Sequence, residues 1–503
     1  MIEITNVSKN ISLGYSYFSF TSTTTGLSSS FRPSAIQRLE VLLSKSPLRK
    51  IIIAIVKIIT YIITGVCVKH KQLFYSSLNF IFVIQNVIII NMKKSPPILI
   101  WITLLIFGCS SEKPNKEFKI IDLENSIGKS KAVYLSEIAE SIEYIPLETR
   151  KESIVGQILS DRLKLEDNLI VIEFAGNRNL KIFQRDGKFV DTLNKVGNGP
   201  DEVLTISDID FSPGKKTISL YDTYKLIEFD IFGNKIRKID VSKTKLYCEY
   251  LTGFTKLGDN YYVFPASNYD FHIKSEYSIF VLDTLSQIVL KTPYPKEEIE
   301  FVNSITGENS YSPEPKVFKF KNKVRVINGY NPYIVSINED LTVDTAYVIN
   351  YGKYNRKDFP DGHSSRNNIP CLEFYGKIFE GSSYLLMQFR TGTLPIKKRE
   401  MLSRNGVKIT HSLACSIFDK KSGEFSFIDP CDLNEFGIID DIYGGPAFWP
   451  MYISKDDYMI NIIDAYKFIQ YAQTHKVTEK FKKIADSLNE NDNPVVVLVK
   501  LKR

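Results

Sequence analysis

The densest group of chemically useful residues lies between positions 440 and 450, in the sequence Asp-Asp-Ile-Tyr-Gly-Gly-Pro-Ala-Phe-Trp-Pro. Asp440 and Asp441 supply carboxylates, Gly444 and Gly445 leave the backbone accessible, and Trp449 supplies a large ring. A tryptophan face beside carboxylates suits a sugar or a cationic ligand, so we predict a ligand-binding loop. The alternative is a structural loop with Trp449 packed as core. A paired-carboxylate hydrolase is disfavoured because adjacent side chains on a strand point in opposite directions.

Two basic features are further binding candidates. Arg390 ends an apolar run, and if it points into the centre of the fold it would bind an anion; the alternative is a solvated strand end. The segment 397–408 carries five basic residues and reads as a hairpin with a basic tip. Such a tip suits a partner protein or membrane headgroups, and the alternative is a plain solvated hairpin.

The residues that usually build catalytic or metal sites are scattered. No pair at metal-ligand spacing occurs among His272, His363, His411 and His475. The sequence has no Gly-x-Ser-x-Gly elbow and no Cys-x-x-Cys pair. We therefore predict no catalytic residue, no metal and no cofactor. Disulfides and free thiols stay open as alternatives for Cys248, Cys371, Cys415 and Cys431.

An internal repeat indicates the elements that position these residues. Short runs rich in Ile, Val, Tyr and Phe are broken by Gly, Asn and Asp, and one strand-turn-strand unit recurs every 45–55 residues or so before a longer insertion. The copies are 182–189, 228–236, 279–288, 333–341 and 417–425, with a sixth unit at 459–464. That period is the length of a four-stranded blade, so we predict an all-β, six-bladed β-propeller over residues 141–503. Pairing of the early strand 142–147 with the terminal strand 494–500 would close the ring.

A complete export signal lies inside the chain. Met92 opens a stretch with two lysines, followed by an apolar run to Phe107 and then Gly108-Cys109. We predict a lipoprotein signal peptide at 92–108, lipid attachment at Cys109 and a polar tether at 109–140. Because export signals act from the N-terminus, residues 1–91 are interpreted as an over-extended start; the alternative is two hydrophobic membrane segments within them.

Charge supports this division of the chain. The whole sequence carries 64 Lys and Arg against 57 Asp and Glu, a net charge of +7. Residues 1–109 hold 11 basic and 2 acidic residues, so the remainder is close to neutral, at a net charge of −2. No basic footprint for nucleic acid remains, and we predict that the protein does not bind one.

The motifs from Met92 onwards resemble those of the six-bladed β-propeller lipoproteins that are abundant in Bacteroidota. The resemblance rests on the signal, on Tyr-Ile-Pro-Leu-Glu-Thr at 144–149 and on Asn-Asp-Asn-Pro at 491–494. It also rests on Gly-Asn-Gly-Pro-Asp-Glu at 197–202. That stretch contains Gly197, Gly199, Pro200 and Glu202, and the resemblance implies that it links two blades. The resemblance also implies the fold and a location in the envelope, but it adds little about mechanism because most members of that family have no assigned activity.

From these observations we predict an envelope-anchored, non-catalytic module, held at a bacterial membrane (the outer one by our interpretation) through its lipid. Loops on a propeller set its function, and the partner would be a glycan, a peptide or another envelope protein. The alternative is a metal-dependent propeller enzyme of the lyase or lactonase type, acting at the channel mouth.

Overall fold

The computed structural model describes most of the chain from Lys119 onwards. The described ranges are 119–174, 179–212, 214–244, 251, 253–266, 276–304, 315–328, 331–359, 369–403, 405–431 and 436–503. The segment 1–91, the signal at 92–108, Cys109 and Cys248 lie outside these residues. Within the described ranges, no helix is both long and apolar enough to cross a membrane.

The first described segment precedes the blades. Its elements are β1 (Lys119–Asp122), β2 (Ser130–Lys131), α1 (Leu135–Ile138) and β3 (Ala139–Pro146). The next three sheets follow in chain order, each with four antiparallel strands. Blade 1 has β4 (Ile158–Glu166), β5 (Leu169–Phe174), β6 (Leu180–Gln184) and β7 (Phe189–Leu193); blade 2 has β8 (Asp208–Ser212), β9 (Thr217–Tyr221), β10 (Lys225–Asp230) and β11 (Lys235–Asp240); blade 3 has β12 (Thr255–Leu257), β13 (Tyr261–Pro265), β14 (Tyr277–Asp283) and β15 (Ile288–Pro293).

Helix α2 (Lys296–Ser304) leads to the second half of the ring. Blade 4 has β16 (Lys316–Phe320), β17 (Lys323–Ile327), β18 (Tyr333–Ile337) and β19 (Val343–Asn350); blade 5 has β20 (Glu373–Glu380), β21 (Tyr384–Arg390), β24 (Leu413–Asp419) and β25 (Phe425–Ile428), interrupted by the hairpin of β22 (Arg399–Leu402) and β23 (Lys408–His411). Blade 6 has β26 (Tyr452–Ile453), β27 (Tyr458–Ile463) and β28 (Val495–Leu501), with β3 as its outer strand. The predicted six-bladed propeller is therefore confirmed.

The hydrophobic core is divided among the seams between blades. Buried side chains form a cluster at each of the six seams, including the one between blades 6 and 1. In that last cluster Leu163 and Ile170 of blade 1 pack with Ile460, Val496 and Leu498 of blade 6. Both faces of each blade are covered by this arrangement, which explains why the strands are apolar with little alternation.

The repeat seen in the sequence is the hairpin between the third and fourth strands of a blade. In blades 1, 2 and 5 the turns carry Gly187, Gly233 and Gly423 at φ of +88°, +83° and +75°. These left-handed positions favour glycine because it has no Cβ. The unit at 459–464 differs: it is the second strand of blade 6, and β28 follows only after helices α3 (Ala465–Thr474) and α4 (Glu479–Asp486).

The ring is closed by the two ends of the described chain, as predicted. Strand β28 lies between β27 and β3, and its register with β3 pairs Val495 with Pro146 and Val499 with Ile142. Backbone hydrogen bonds therefore join the C-terminal strand to the N-terminal one. The C-terminal strand is thereby an interior strand of blade 6, and β3 forms the outer edge of that blade.

The predicted tether at 109–140 requires correction from Lys119 onwards. Strand β1 adds a parallel fifth strand to blade 4 through β19, and β2 adds one to blade 5 through β25. Ile121, Leu123 and Leu135 are fully buried in this segment. The alternation of apolar and polar residues in this short stretch was too brief to identify a strand, so its burial was missed.

Candidate functional site

The innermost strand of each blade lies on the axis of the ring. These strands are β4, β8, β12, β16, β20 and β26, and each contacts the next in that order, with β26 meeting β4. Residues from all six strands line one cavity of about 260 Å³. We call this cavity the cationic chamber.

A second cavity of about 420 Å³ lies beside the same axis and is lined by residues of blades 1, 4, 5 and 6. We call it the acidic chamber, because its lining includes Glu166, Glu380, Asp456 and Asp457. Lys319 and Ile453 line both chambers. These two side chains therefore mark the boundary between them.

Lys319 reaches across the channel from blade 4 to blade 2. Its Nζ lies 2.7 Å from Asp210 Oδ2 and donates a hydrogen bond of 3.0 Å to the carbonyl of Phe211. Asp210 also accepts the backbone N–H of Lys256 in blade 3, at 2.8 Å. The side chains of Lys319 and Asp210 thus connect three blades at the axis, where neighbouring sheets share no backbone ladder.

The cationic chamber is lined by five basic and two acidic side chains. The basic residues are Arg162, Lys164, Lys316, Lys319 and Lys377, and the acidic residues are Asp208 and Asp210. Phe254, Phe318, Phe379 and Tyr452 are among the other residues of the lining. The lining therefore combines an excess of positive charge with apolar surface.

The two acids of the cationic chamber are held by the protein itself. Asp208 accepts the N–H groups of Phe254 at 2.9 Å and Ile209 at 2.8 Å, and it lies 3.6 Å from Arg162 Nη1. Burial raises the pKa of Asp208, and the charges of Lys164 and Arg162 oppose that rise. Arg162 Nε lies 3.6 Å from Glu173 on its other side.

A β-bulge shapes one wall of this chamber. The register between β20 and β21 shifts between Phe374 and Ile378, and Gly376 within the shift has φ of +82°. A Cβ at Gly376 would lie 3.3 Å from Cε of Lys316, so the stem of Lys316 passes over this glycine. The bulge brings Lys316 of blade 4 close to Gly376 and Lys377 of blade 5. Bulges commonly re-aim side chains next to functional sites.

Glu166 is a buried carboxyl group in the lining of the acidic chamber. Its Oε1 accepts the Tyr452 hydroxyl at 2.8 Å and the Lys455 N–H at 3.2 Å, while its Oε2 is buried without a hydrogen-bond partner. Burial raises the pKa of Glu166 to about 7, although both hydrogen bonds act in the opposite direction. This carboxyl group therefore changes its charge near neutral pH.

Asp440 of the predicted ligand loop is buried, at 3% exposure. Its Oδ2 accepts the Tyr144 hydroxyl at 2.7 Å and the Gly445 N–H at 2.9 Å, and its Oδ1 accepts the N–H groups of Ile442 and Tyr443 at 3.0 Å each. Burial, and secondarily this carboxylate, holds the pKa of Tyr144 well above its usual range. Four contacts within the protein favour the structural alternative for Asp440.

The other residues of the 440–450 loop also make contacts within the protein. Gly444 has φ of +70°, and a Cβ at Gly445 would lie 2.1 Å from the Tyr144 hydroxyl, so both positions need glycine. Trp449 is 8% exposed and packs edge-on against Phe379, with ring centroids 6.3 Å apart. Asp441 is exposed and accepts hydrogen bonds from Ser136 N at 2.9 Å and Ser136 Oγ at 2.5 Å. Burial therefore separates the two aspartates, but they lie at the start of a turn rather than on a strand.

The other predicted residues lie apart from both chambers. Arg390 is half-buried, with its guanidinium 4.9 Å from the centre of the Tyr375 ring, and it lines neither chamber. The 397–408 segment forms the β22–β23 hairpin as predicted, and Lys408 pairs there with Glu400. Among the described residues, Cys371, Cys415 and Cys431 form no disulfide with one another.

The glycine-rich motif lies between β7 of blade 1 and β8 of blade 2. Glu202 Oε2 accepts the Gly199 N–H at 2.9 Å, and a Cβ at Gly197 would lie only 2.1 Å from that oxygen. Val196 and Val203 pair across the reversal, and Pro200 lies within it. The carboxylate therefore fills the space that the missing Cβ leaves and closes the turn.

The channel residues were not identified from the sequence, although their strands carry a signal. Arg162, Lys164 and Glu166 alternate with buried leucines in β4, and Asp208 and Asp210 alternate in the same way in β8. Charged residues at every second position of a strand that is otherwise buried indicate a polar interior or seam. Among the described residues, no group of three or more His, Cys, Asp or Glu side chains is arranged to hold a metal ion.

Comparisons with known proteins identify a family and one structure of similar fold. Residues 118–500 match a family model described as "Domain of unknown function (DUF4934)", and no curated protein matches the chain. A Bacteroides fragilis protein thought to be exported is 15% identical, with a TM-score of 0.54 over 76% of this chain and 100% of its own. A DUF4221 family member from Bacteroides vulgatus is 10% identical, with a TM-score of 0.40 over 72% of this chain and 97% of its own. Virginiamycin B lyase from Staphylococcus aureus is 8% identical, with a TM-score of 0.33 over 71% of this chain and 99% of its own.

Proposed function

This chain belongs to the DUF4934 family, and on that premise we propose that it is a non-catalytic binding module of the bacterial cell envelope. The ligand is a small molecule held in the cationic chamber. The observation that carries this proposal is the chamber itself, a cavity of about 260 Å³ on the ring axis that all six blades line. Concave sites of mixed apolar and polar lining are where proteins usually hold small ligands.

The size of the chamber limits the ligand. Its volume of about 260 Å³ lies just below the usual size of a small-ligand pocket, roughly 300–1,000 Å³. A monosaccharide-sized or smaller organic molecule fits this space, whereas a folded partner would have to bind elsewhere. The chamber therefore replaces the 440–450 loop as our candidate site, because Asp440 and Trp449 are occupied by contacts within the protein.

The proposed location rests on the export signal. Cleavage before Cys109 would give a mature protein anchored by a lipid on that cysteine, in the outer membrane by our interpretation. The likeness to a Bacteroides protein thought to be exported supports export. Residues 109–118 would then connect the membrane anchor to β1.

Lipidation is tested by growing the native host with an alkyne-tagged fatty acid and isolating the protein. Label should enter the wild-type protein and be absent from Cys109→Ser. Peptide mass spectrometry on the same sample tests the start site, because any peptide from residues 1–91 would contradict translation from Met92. Label on Cys109→Ser would contradict the assigned attachment residue.

Binding is tested by a thermal-shift screen of the purified protein against sugars, short peptides, small organic acids and divalent metals. A ligand that prefers the native state raises the unfolding midpoint. The control pair is Lys377→Trp, which fills the chamber, and Lys482→Trp, which places the same ring on an exposed helix position. A shift that Lys377→Trp abolishes and Lys482→Trp retains supports the proposal. A shift that survives Lys377→Trp contradicts the chamber as the site.

A further inference from the structure

We propose that the propeller lies on a lipid bilayer with one particular end of its blades, which we call the entry face. This face carries the turns between first and second strands and those between third and fourth strands. The third-to-fourth-strand turns are 185–188, 231–234, 284–287, 338–342 and 420–424. The inference rests on the lipid anchor proposed above for Cys109, and it specifies which face of the propeller that anchor holds against the membrane.

The described chain reaches the propeller at the entry face. Neighbouring strands of a blade alternate in direction, so these two kinds of turn lie at the same end of the blade. Strand β1 runs parallel to β19, which begins directly after the turn 338–342, so β1 also begins at that end. Lys119, the first residue of β1, donates a hydrogen bond of 3.0 Å to the carbonyl of Lys420 in the turn 420–424. The direction of β1 and this contact place the start of β1 at the entry face.

The length of the chain before β1 keeps this face close to the anchor. Residues 109–118 separate the start of β1 from the membrane in the mature protein proposed above. An extended chain spans at most about 3.6 Å for each residue, so these ten steps reach no more than about 36 Å. A lipid on Cys109 would therefore hold the entry face within that distance of the bilayer.

The entry face presents two apolar side chains to solvent. Leu285 and Phe232 are 75% and 71% exposed, more than any other large apolar side chain of the described residues. They occupy equivalent positions in neighbouring blades, because the N–H of each donates a hydrogen bond of 2.9 Å to an aspartate two positions earlier, Asp283 or Asp230. Leucine and phenylalanine are side chains that interfacial segments bury at the boundary between headgroups and acyl chains. These two turn tips therefore suit a lipid surface.

The insertions in the propeller lie at the opposite face. The β22–β23 hairpin connects the second and third strands of blade 5, and helices α3 and α4 connect the second and third strands of blade 6. Such connections lie at the end of a blade away from the first-to-second-strand turn. With the entry face on the bilayer, both insertions are directed away from it.

The two chambers divide in the same way. The acidic chamber is lined by the first-to-second-strand turns 321–322 and 454–457, which belong to the entry face. The cationic chamber is lined by Asp208, Gly253 and Pro315, which lie at or just before the start of a first strand, at the opposite face. The cationic chamber is therefore directed at the surrounding solution, and its ligand would enter from the side away from the membrane.

The test uses tryptophan fluorescence of the protein tethered to vesicles. The chain 110–503, which contains every described residue, carries an N-terminal hexahistidine tag in place of the lipid. Phosphatidylcholine vesicles with a small fraction of nickel-chelating lipid hold it, so the result does not depend on lipidation of Cys109. Trp449 is the only tryptophan in the sequence 110–503 and is 8% exposed, so it gives a shielded background. Phe232→Trp and Leu285→Trp place a reporter on the entry face.

Matched variants place the same reporter on the opposite face. Tyr224, 51% exposed, lies at the other end of β10 from Phe232, and the six residues of that strand span about 20 Å. Val407, 61% exposed, lies in the β22–β23 hairpin. Vesicles with brominated acyl chains are compared with unbrominated ones, and melting curves equal to that of the parent protein show that each variant is folded. We expect loss of emission in Phe232→Trp and Leu285→Trp, and none beyond the parent in Tyr224→Trp and Val407→Trp.

Each other outcome overturns the orientation. Loss of emission in Tyr224→Trp or Val407→Trp, with none in Phe232→Trp, would mean that the opposite face lies on the bilayer. Equal loss in all four variants, or loss in none, would mean that no one face does so. The fatty-acid label tests the anchor separately: a wild-type protein without label would overturn lipidation of Cys109, whatever the tethered protein shows. Ligand binding in the chamber is measured in solution and is independent of both.

Discussion

Replacing Asp440 with alanine tests whether the 440–450 loop is part of the framework or a ligand site. The change removes the acceptor of four hydrogen bonds, from the Tyr144 hydroxyl and from three backbone N–H groups. Hydrogen bonds to a charged group contribute about 1.5–3 kcal/mol each, and each buried donor left without a partner costs about 1–3 kcal/mol. The four terms are not additive, because the loop relaxes once the first contact is lost. We therefore expect a loss of about 4 kcal/mol in the free energy of unfolding.

The companion variants divide this loss. Asp440→Asn keeps one oxygen for the N–H groups of Ile442 and Tyr443 but turns an amide donor towards Tyr144 and Gly445, and it should lose about 2 kcal/mol. Asp441→Ala is the control, since Asp441 is exposed and contacts only Ser136 in the described structure, and its midpoint should change little. The measurement is urea denaturation followed by fluorescence and circular dichroism.

Two outcomes of the urea denaturation experiments would refute a structural role for Asp440. An Asp440→Ala protein with the wild-type urea midpoint would mean that the buried contacts of Asp440 do not stabilise the loop. The ligand-loop interpretation would then regain its place, most directly if the same variant lost binding of a sugar or a cationic compound. Equal destabilisation by Asp440→Ala and Asp441→Ala would also contradict the account, because only Asp440 is buried.

Three further predictions follow from the ring and its charges. Deleting residues 493–503 removes β28 from between β27 and β3, so no soluble folded protein should be recovered; an unchanged melting curve would refute the closure. Burial raises the pKa of Glu166 from 4.5 to about 7 in the folded protein, so folding favours the protonated carboxyl group. The stability that this carboxyl group contributes is therefore complete at low pH and is lost as the pH rises from about 4.5 to 7. Wild type should therefore lose about 2 kcal/mol more than Glu166→Gln between pH 5 and 8, and parallel pH profiles in urea denaturation would contradict the buried carboxyl. Lys256→Met removes the ammonium group that lies 2.6 Å from the buried carboxylate of Glu228, and it should lower the free energy of unfolding by about 3–5 kcal/mol. Lys256→Met/Glu228→Leu should restore most of that loss. Additive effects of the two substitutions would exclude the coupling.

The blades could be predicted from the sequence because their signal is local. Each copy of the repeat is a hairpin whose turn needs a left-handed residue, and Gly187, Gly233 and Gly423 satisfy that need within a few positions of the strands they join. The pairing of the terminal strand with an early strand, predicted for 494–500 and 142–147 and observed for 495–501 and 139–146, could be predicted because a closed ring brings the two ends of the propeller sequence together. The sixth unit at 459–464 was assigned to a blade but not to its place in that blade, because α3 and α4 interrupt the pattern.

The alternating charges of β4 and β8 could have indicated a polar interior, but the contacts across the channel could not be predicted because their residues meet only when the ring closes. Lys319 contacts Asp210 and Phe211, more than 100 positions earlier, and no spacing in the sequence indicates that pairing. The loop at 440–450 shows the opposite error. Its composition suits a ligand site, but Tyr144, which is distant in the sequence, donates a hydrogen bond to Asp440. Composition identifies the groups that are present, and the fold decides which of them remain available.

The measurement that tests the central claim most directly is a crystal structure of the protein with the compound that gives the largest thermal shift in the screen. Our account predicts electron density for that compound in the cationic chamber, and an empty chamber in Lys377→Trp crystals grown with the same compound. Density confined to the outer surface, with an empty chamber in the wild-type protein, would contradict it.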